Sequence, residues 1–386
     1  MKRFFAFCML FIILLSICSI SGIAIPLQAS ATDDLEIQSK SAALVDFDSG
    51  TILYEKDATT HLPIASMVKM MTILLTLEEF EKGNLTEETL ITTTENASSM
   101  GGSQVFIDPY VEYSAGDLLK SVIIASANDA SVALAEAISG SEKTFVNKMN
   151  EKAKELNMND TNYVNCTGLP APMQYSCAKD SAIVLKEVSK YDLYHKYSTI
   201  WMDELIHPSG RKTELVNTNR LIRYYDGCDG GKTGSTNEAG CCLCASAKRN
   251  DMRLISVVIG APNSQTRFNE CSKLFNYGFA NYENKKVVNM DEVLKNLPVN
   301  KGKKENVDLY ASENFSVVSK KGESKDYQVS FDVPSKVNAP CKEGDNVGKV
   351  IVSQDGQIVK EINLILKENI EKLSLKDCFD KVVSNW

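Results

Sequence analysis

Strand-like runs at both ends of the first 280 residues enclose a long helical middle, and that order admits few folds. Residues 42–56 hold two β-rich runs around Asp48-Ser49-Gly50, the signature of a hairpin. Behind Pro63, residues Ile73, Leu74, Leu77 and Phe80 recur at helical spacing, so a helix is expected from Pro63 to about Glu81. Further helices are expected over about 115–126, 128–138, 143–156 and 178–190. After Gly234 the texture reverts: 239–247 and 252–261 are apolar and strand-like, separated by Lys248-Arg249-Asn250-Asp251, and 269–280 is helical again. Strands, helices, strands, helix describe an α/β (α+β) domain. Its antiparallel sheet takes outer strands from both ends of the segment, carries flanking helices and has a helical subdomain inserted between.

Near Lys285 the pattern changes. Short alternating strands run from about 288 to 368, with Asp355-Gly356 as a hairpin turn, and this stretch is expected to form a second, all-β domain, a sandwich. The last segment, 373–386, places Leu375, Phe379, Val382, Val383 and Trp386 on one helical face opposite Lys376, Asp377, Asp380 and Lys381. Ser374 and Asp377 fit a capping box. Such a helix has two destinations, the flank of the β domain or a membrane interface.

The chain begins with Met1-Lys2-Arg3, an apolar run from Phe4 to about Ile20, and Ala29-Ser30-Ala31. This reads as a secretory signal, residues 1–31, cleaved after Ala31. The apolar run is long for a signal, so an uncleaved anchor is the rival. A lipoprotein signal at Leu15-Ser16-Ile17-Cys18 is disfavoured by the bulky Ile17. All three readings put the folded part outside the cytoplasm, at the outer face of a cell membrane. A net charge of -8 with no basic stripe argues against nucleic acid as a partner. Of eleven cysteines, nine remain after the signal, an odd number that gives no disulfide map. Cys241, Cys242 and Cys244 sit in an apolar run and read as core packing. With only three histidines, neither a metal site nor a cofactor is expected.

Three short motifs carry the chemistry: Ser66-Met-Val-Lys69, Ser126-Ala-Asn128 and Lys232-Thr233-Gly234. Ser66 and Lys69 are three apart on an expected helix and share a face. Serine needs a base to become a nucleophile, and lysine serves only when burial or a second cation lowers its pKa. The apolar neighbours Ala65, Met67, Val68, Met70 and Met71 supply burial, and Lys232 is the candidate second cation. S-x-x-K also occurs at Ser209-Gly-Arg-Lys212, but in a polar turn with no helix behind it. Ser126 and Asn128 lie at a break between two helices, where they also read as caps.

The three motifs together resemble those of the low-molecular-mass penicillin-binding proteins, the serine-type D-Ala-D-Ala carboxypeptidases of peptidase family S11. Ile64-Ala-Ser-Met-Val-Lys-Met-Met-Thr72, Met100-Gly-Gly-Ser103, Ile124-Ala-Ser-Ala-Asn-Asp129, Asp229-Gly-Gly-Lys-Thr-Gly-Ser235 and Met252-Arg-Leu-Ile-Ser-Val-Val-Ile-Gly260 extend the resemblance over about 35–282. It implies that Ser66 attacks the carbonyl between the terminal D-alanines of a peptidoglycan stem peptide, with Lys69 as base. Ser126 would relay a proton to the leaving D-alanine and Asn128 would position Lys69 and the substrate amide. Lys232 would add positive field. Thr233, Gly234 and Ser235 would line the substrate site, with Thr233 and Ser235 on the terminal carboxylate and Arg253 as its helper. The backbone N–H groups of Ser66 and Ser235 would form the oxyanion hole, and β-lactam antibiotics would acylate Ser66.

A class A β-lactamase shares the three motifs. Its Glu-x-x-Leu-Asn element finds only Ala153-Lys-Glu-Leu-Asn157 here, with alanine in place of the glutamate. A non-catalytic binding module is disfavoured by the intact motif residues, and a Ser-His-Asp hydrolase by the absence of any G-x-S-x-G.

Overall fold

The computed structural model describes residues 35–323 and 326–377. The expected signal, residues 1–31, lies outside them. So does the terminal helix beyond Asp377.

Strands β1 (Ser41–Asp46) and β2 (Ile52–Lys56) form the expected hairpin. A 3-10 turn, Ala65–Val68, leads into α1 (Lys69–Glu81). A short hairpin of β3 (Leu90–Thr92) and β4 (Glu112–Ser114) encloses the one-turn α2 (Glu95–Ser98). Helices α3 (Ala115–Ile124), α4 (Asn128–Ser139) and α5 (Glu142–Glu155) follow. Ser114 and Ser141 cap α3 and α5 by accepting from Asp117 N and Thr144 N. Helices α6 (Ala178–Val188) and α7 (Asp192–Ser198) precede a hairpin of β5 (Met202–Ile206) and β6 (Lys212–Val216) and the short α8 (Leu221–Tyr224). Then come β7 (Cys228–Thr236), β8 (Gly240–Arg249), β9 (Met252–Ala261) and α9 (Ser264–Asn281).

The sheet order is β2-β1-β9-β8-β7, antiparallel throughout, so strands from both ends of the segment meet between β1 and β9. Alternate residues feed two layers, as the pleat requires. Ala43, Val45, Ile255, Val257 and Ile259 join the core around α1, while Gly278 of α9 rests on Leu44 and Leu254 of the other face. Burial on both faces explains why β8 and β9 read as continuous apolar runs. Helix α1 is the hub: Lys69 to Leu77 are all buried, and α3, α4, α5 and α6 pack around it.

The remaining strands are β10 (Tyr282–Val288), β11 (Lys295–Asn300), β12 (Asn306–Ala311), β13 (Phe315–Lys320), β14 (Tyr327–Asp332), β15 (Val337–Asn338), β16 (Asn346–Gln354) and β17 (Gln357–Leu366). They form a β10-β13 pair and a six-stranded sheet, β14-β16-β17-β12-β11-β15, with a separate core that includes Leu309, Val350, Ile362 and Leu364. Asp355 and Gly356 both take positive φ, 52° and 78°, the pattern of a two-residue hairpin turn matched to strand twist. The Ser374 box forms: Ser374 N and Oγ donate to Asp377 Oδ2 at 2.8 and 2.7 Å, and Asp377 N donates back at 3.2 Å. Among the described residues no helix is long and apolar enough to cross a membrane. The eight described cysteines are free thiols, and five of them are fully buried.

Candidate active site

Ser66 sits not in the α-helix but in the 3-10 turn before it. Ala65 takes φ +48°, a left-handed conformation that a side chain adopts at a cost, and this breaks the helix expected from Pro63. In a 3-10 turn residues i and i+3 eclipse, which suits the pair that matters. Lys69 Nζ lies 3.0 Å from Ser66 Oγ and donates to Thr167 O at 2.5 Å. Lys69 has no exposed surface, and burial pulls its ammonium down to about 7.

Thr167 belongs to a strap that covers this lysine. Asn165 Oδ1 accepts from Thr167 N and Gly168 N at 3.2 and 2.7 Å, folding the strap. Glu142, at the start of α5, accepts from Cys166 N at 3.0 Å, and Thr72 Oγ1 donates to Cys166 O at 2.8 Å. A Cβ on Gly168, at φ +83°, would fall 2.1 Å from Ala65 O, so the strap lies backbone to backbone on the nucleophile turn. None of the strap's residues carries a motif, and sequence reasoning missed it.

Ser126 and Asn128 are not helix caps: Ala127 holds the N-cap position of α4, with no side-chain cap hydrogen bond. Ser126 takes φ +63° at the break between α3 and α4, and its Oγ accepts from Lys232 Nζ at 2.7 Å. Asn128 Nδ2 donates to Gly101 O at 2.6 Å, while Asn128 Oδ1 is buried without a hydrogen-bond partner among the described residues. Lys232, on β7, is as buried as Lys69. Its pKa falls well below the usual lysine range, first by burial and then by the charges of Lys69 and Arg267. Arg267, which keeps its charge, is a further cation acting on this side of the site.

Strand β7 closes the site. A Cβ on Gly234 would lie 2.4 Å from Ile64 O and 3.2 Å from Ser66 N, so only glycine lets this strand touch the nucleophile turn. Ser66, Ser126, Thr233, Gly234 and Ser235 line one cleft of about 530 Å³ together with Arg220 and Arg267.

The arginine expectation needs correction. Val257 pairs with Cys244, which pairs with Lys232, so Arg253 lies four residues, ~13 Å, along β9 from the level of Lys232. There it is tied to Asp229 at 2.7 Å and His195 at 2.9 Å and faces a different cavity. Arg267 instead reaches in from α9 and donates to Gly234 O at 3.1 Å. Arg220 is exposed on the cleft wall, without an ion-pair partner among the described residues. Two buried asparagines frame its loop: Asn217 donates to Ser198 O and Ile200 O, and Asn219 to Gly230 O.

One group of possible metal donors comes together elsewhere: Asp160, Cys177 and Asp180 lie within 4.8 Å of one another. They already serve the start of α6, where Cys177 Sγ accepts from Asp180 N and Asp180 Oδ2 accepts from Asp160 N.

The family profile described as D-alanyl-D-alanine carboxypeptidase matches residues 28–263. The chain belongs to the D-alanyl-D-alanine carboxypeptidase family. A second profile, the C-terminal domain of penicillin-binding protein 5, matches residues 282–372. D-alanyl-D-alanine carboxypeptidase DacF of Bacillus subtilis is 39% identical over 356 residues, covering 92% of each chain. The DacC carboxypeptidase of Escherichia coli is 34% identical over 87% of this chain and 85% of that one. Among solved structures, penicillin-binding protein 5 of Haemophilus influenzae superposes with a TM-score of 0.68 at 31% identity, over 87% of this chain and 98% of that one. These matches span 87–92% of the chain, and the lactamase reading is not favoured.

Proposed function

We propose that this chain is a serine-type carboxypeptidase that removes the terminal D-alanine from peptidoglycan stem pentapeptides through an acyl-enzyme on Ser66. One observation carries the reading: a serine hydroxyl 3.0 Å from a fully buried lysine whose pKa lies at about 7. Near neutral pH a substantial fraction of Lys69 is unprotonated, so its lone pair takes the Ser66 proton as Oγ attacks the scissile carbonyl. The oxyanion meets the backbone N–H groups of Ser66 and Ser235, each such donor contributing about 3 kcal/mol. Ser126, hydrogen-bonded to Lys232, passes a proton to the departing amine. The free Asn128 Oδ1 accepts from the substrate's amide.

Thr233, Ser235 and Arg220 hold the terminal carboxylate, and its arrival favours the protonated form of Lys232. Arg267 acts on this end by fixing Gly234. Water then cleaves the ester and releases the shortened peptide. β-Lactams enter by the same first step.

The reading places the work outside the cytoplasm, with residues 1–31 as a cleaved signal. The catalytic domain spans 35–282 and the β domain 288–368, and the terminal segment 373–386 makes peripheral contact with the membrane. Purified residues 32–386 are expected to release D-alanine from a pentapeptide and to gain the mass of one benzylpenicillin, and Ser66→Ala to do neither. An adduct that survives Ser66→Ala contradicts the nucleophile. Rapid cephalosporin turnover without D-alanine release contradicts the substrate.

A further inference from the structure

Asp129 follows Asn128 at the start of α4. It has no exposed surface and no ion-pair partner among the described residues. Its carboxylate accepts from Val105 N at 3.1 Å, from Ile107 N at 3.2 Å and, within its own helix, from Ala130 N at 2.9 Å. The first two bonds pin a loop whose Ser103 lines the catalytic cleft. That loop holds Asn128 in turn: Asn128 N donates to Ser103 O at 2.7 Å and Asn128 Nδ2 to Gly101 O at 2.6 Å. A Cβ on Gly102, at φ +82°, would fall 2.7 Å from Asn128 Nδ2, so loop and asparagine are closely fitted.

The same carboxylate faces buried cations. The ionisable groups around Lys69 are Cys166 of the strap, Asp129 of α4 and Lys232 of β7. Burial and then Glu142 of α5 push the Cys166 thiol well above the usual range, so it stays neutral near pH 7. His207, buried in the turn between β5 and β6, faces Asp129, and burial holds its ring below the usual histidine range. Asp129 is therefore the anion whose charge acts directly on Lys69. We propose that Asp129 is a positioning residue of the reaction, one carboxylate that both pins the loop holding Asn128 and serves as counter-charge to the buried lysines. The inference rests on the reading of Lys69 as the base for Ser66. A fixed anion in a site of low dielectric favours the ammonium form of Lys69. Without it burial acts unopposed, and the amine loses its proton at lower pH but is a weaker base toward Ser66.

The test is the pH profile of benzylpenicillin acylation, followed by intact mass in the wild type and three variants. In Asp129→Asn the midpoint is expected to fall by about one pH unit, so that the rate at pH 6 rises from about a tenth to about half of the plateau. The plateau itself drops about tenfold, through the weaker base and the loosened loop. Asp129→Glu keeps the charge, so its plateau drops while its midpoint stays at the wild-type value. Asp180→Asn removes a different buried carboxylate, one that serves the start of α6, and lowers the melting temperature without moving the midpoint. Each profile is scaled to its own plateau, so a partly folded preparation reads the same midpoint. A midpoint that stays put or rises in Asp129→Asn, or that falls equally in Asp129→Glu or Asp180→Asn, overturns the counter-charge while leaving the carboxypeptidase reading intact. A wild type that forms no adduct on Ser66 overturns that reading, and the role of Asp129 falls with it.

Discussion

The chain spells S-x-x-K at Ser66–Lys69 and again at Ser209–Lys212, and the two regions have little else in common. Ser66 lies on a buried 3-10 turn whose lysine has no exposed surface, and that burial brings the lysine to about 7. Ser209 lies in the turn between β5 and β6, where Lys212 is solvent-exposed and paired with Glu204 at 2.6 Å. A third copy, Ser176-Cys-Ala-Lys179, straddles the start of α6 with its lysine exposed. Spacing alone therefore makes no base. What distinguishes Lys69 is desolvation under the 165–168 strap, which makes a neutral amine accessible near pH 7.

The largest effect that tests this contrast is at the serines. Ser66→Ala is expected to lower D-alanine release by at least about 10^4-fold, whereas Ser209→Ala stays within about twofold, measured as kcat/KM on one pentapeptide. At the lysines, Lys69→Arg is expected to lose about 10^3-fold, because a guanidinium keeps its proton and cannot serve as base. Lys212→Arg is expected to change nothing measurable. Comparable losses at both lysines would break the contrast.

Gly234→Ala sharpens the geometric side. Its methyl would press on Ile64 O and push β7 off the nucleophile turn, and a displacement of that size costs about 10^2-fold in acylation rate. The smallest expected effect separates the arginines. Arg220→Ala raises KM for the peptide about tenfold by removing a charged carboxylate partner. Arg253→Ala, which breaks the Asp229 pair, lowers the melting temperature and leaves KM within about twofold. The reverse result would restore Arg253 to the substrate site.

Much of this was legible in the sequence because local signals agreed. The Asp48-Ser49-Gly50 and Asp355-Gly356 turns, the helical spacing of α1 and the apolar runs of β8 and β9 each specify an element on their own. The three motifs converge because sheet order brings β7 against the turn before α1. The 3-10 turn was not legible, since it arises from the left-handed Ala65 beneath Gly168, a tertiary contact. The arginine was misassigned because Arg253 stands in a strand next to the motif strands, and only β-register reveals its ~13 Å displacement along the sheet. Arg220 and Arg267 lie in a loop and a later helix, and nothing in their neighbours points toward Ser66. Glu142 and Asn165 were missed for the same reason: they act on the strap, and the strap acts on Lys69.

The central claim is that burial of Lys69 activates Ser66, and the pH dependence of penicillin acylation tests it most directly. Lys69 must lose its proton to accept one from Ser66, so the rate should rise with pH, pass its midpoint near 7 and level off above it. Each unit further below the midpoint should cost about tenfold. Intact-mass measurement of adduct formation from pH 5 to 9, with the adduct mapped to the Ser66 peptide, is expected to trace that curve. A rate that keeps climbing tenfold per unit to pH 9, as for an ordinary solvated lysine, would contradict the account.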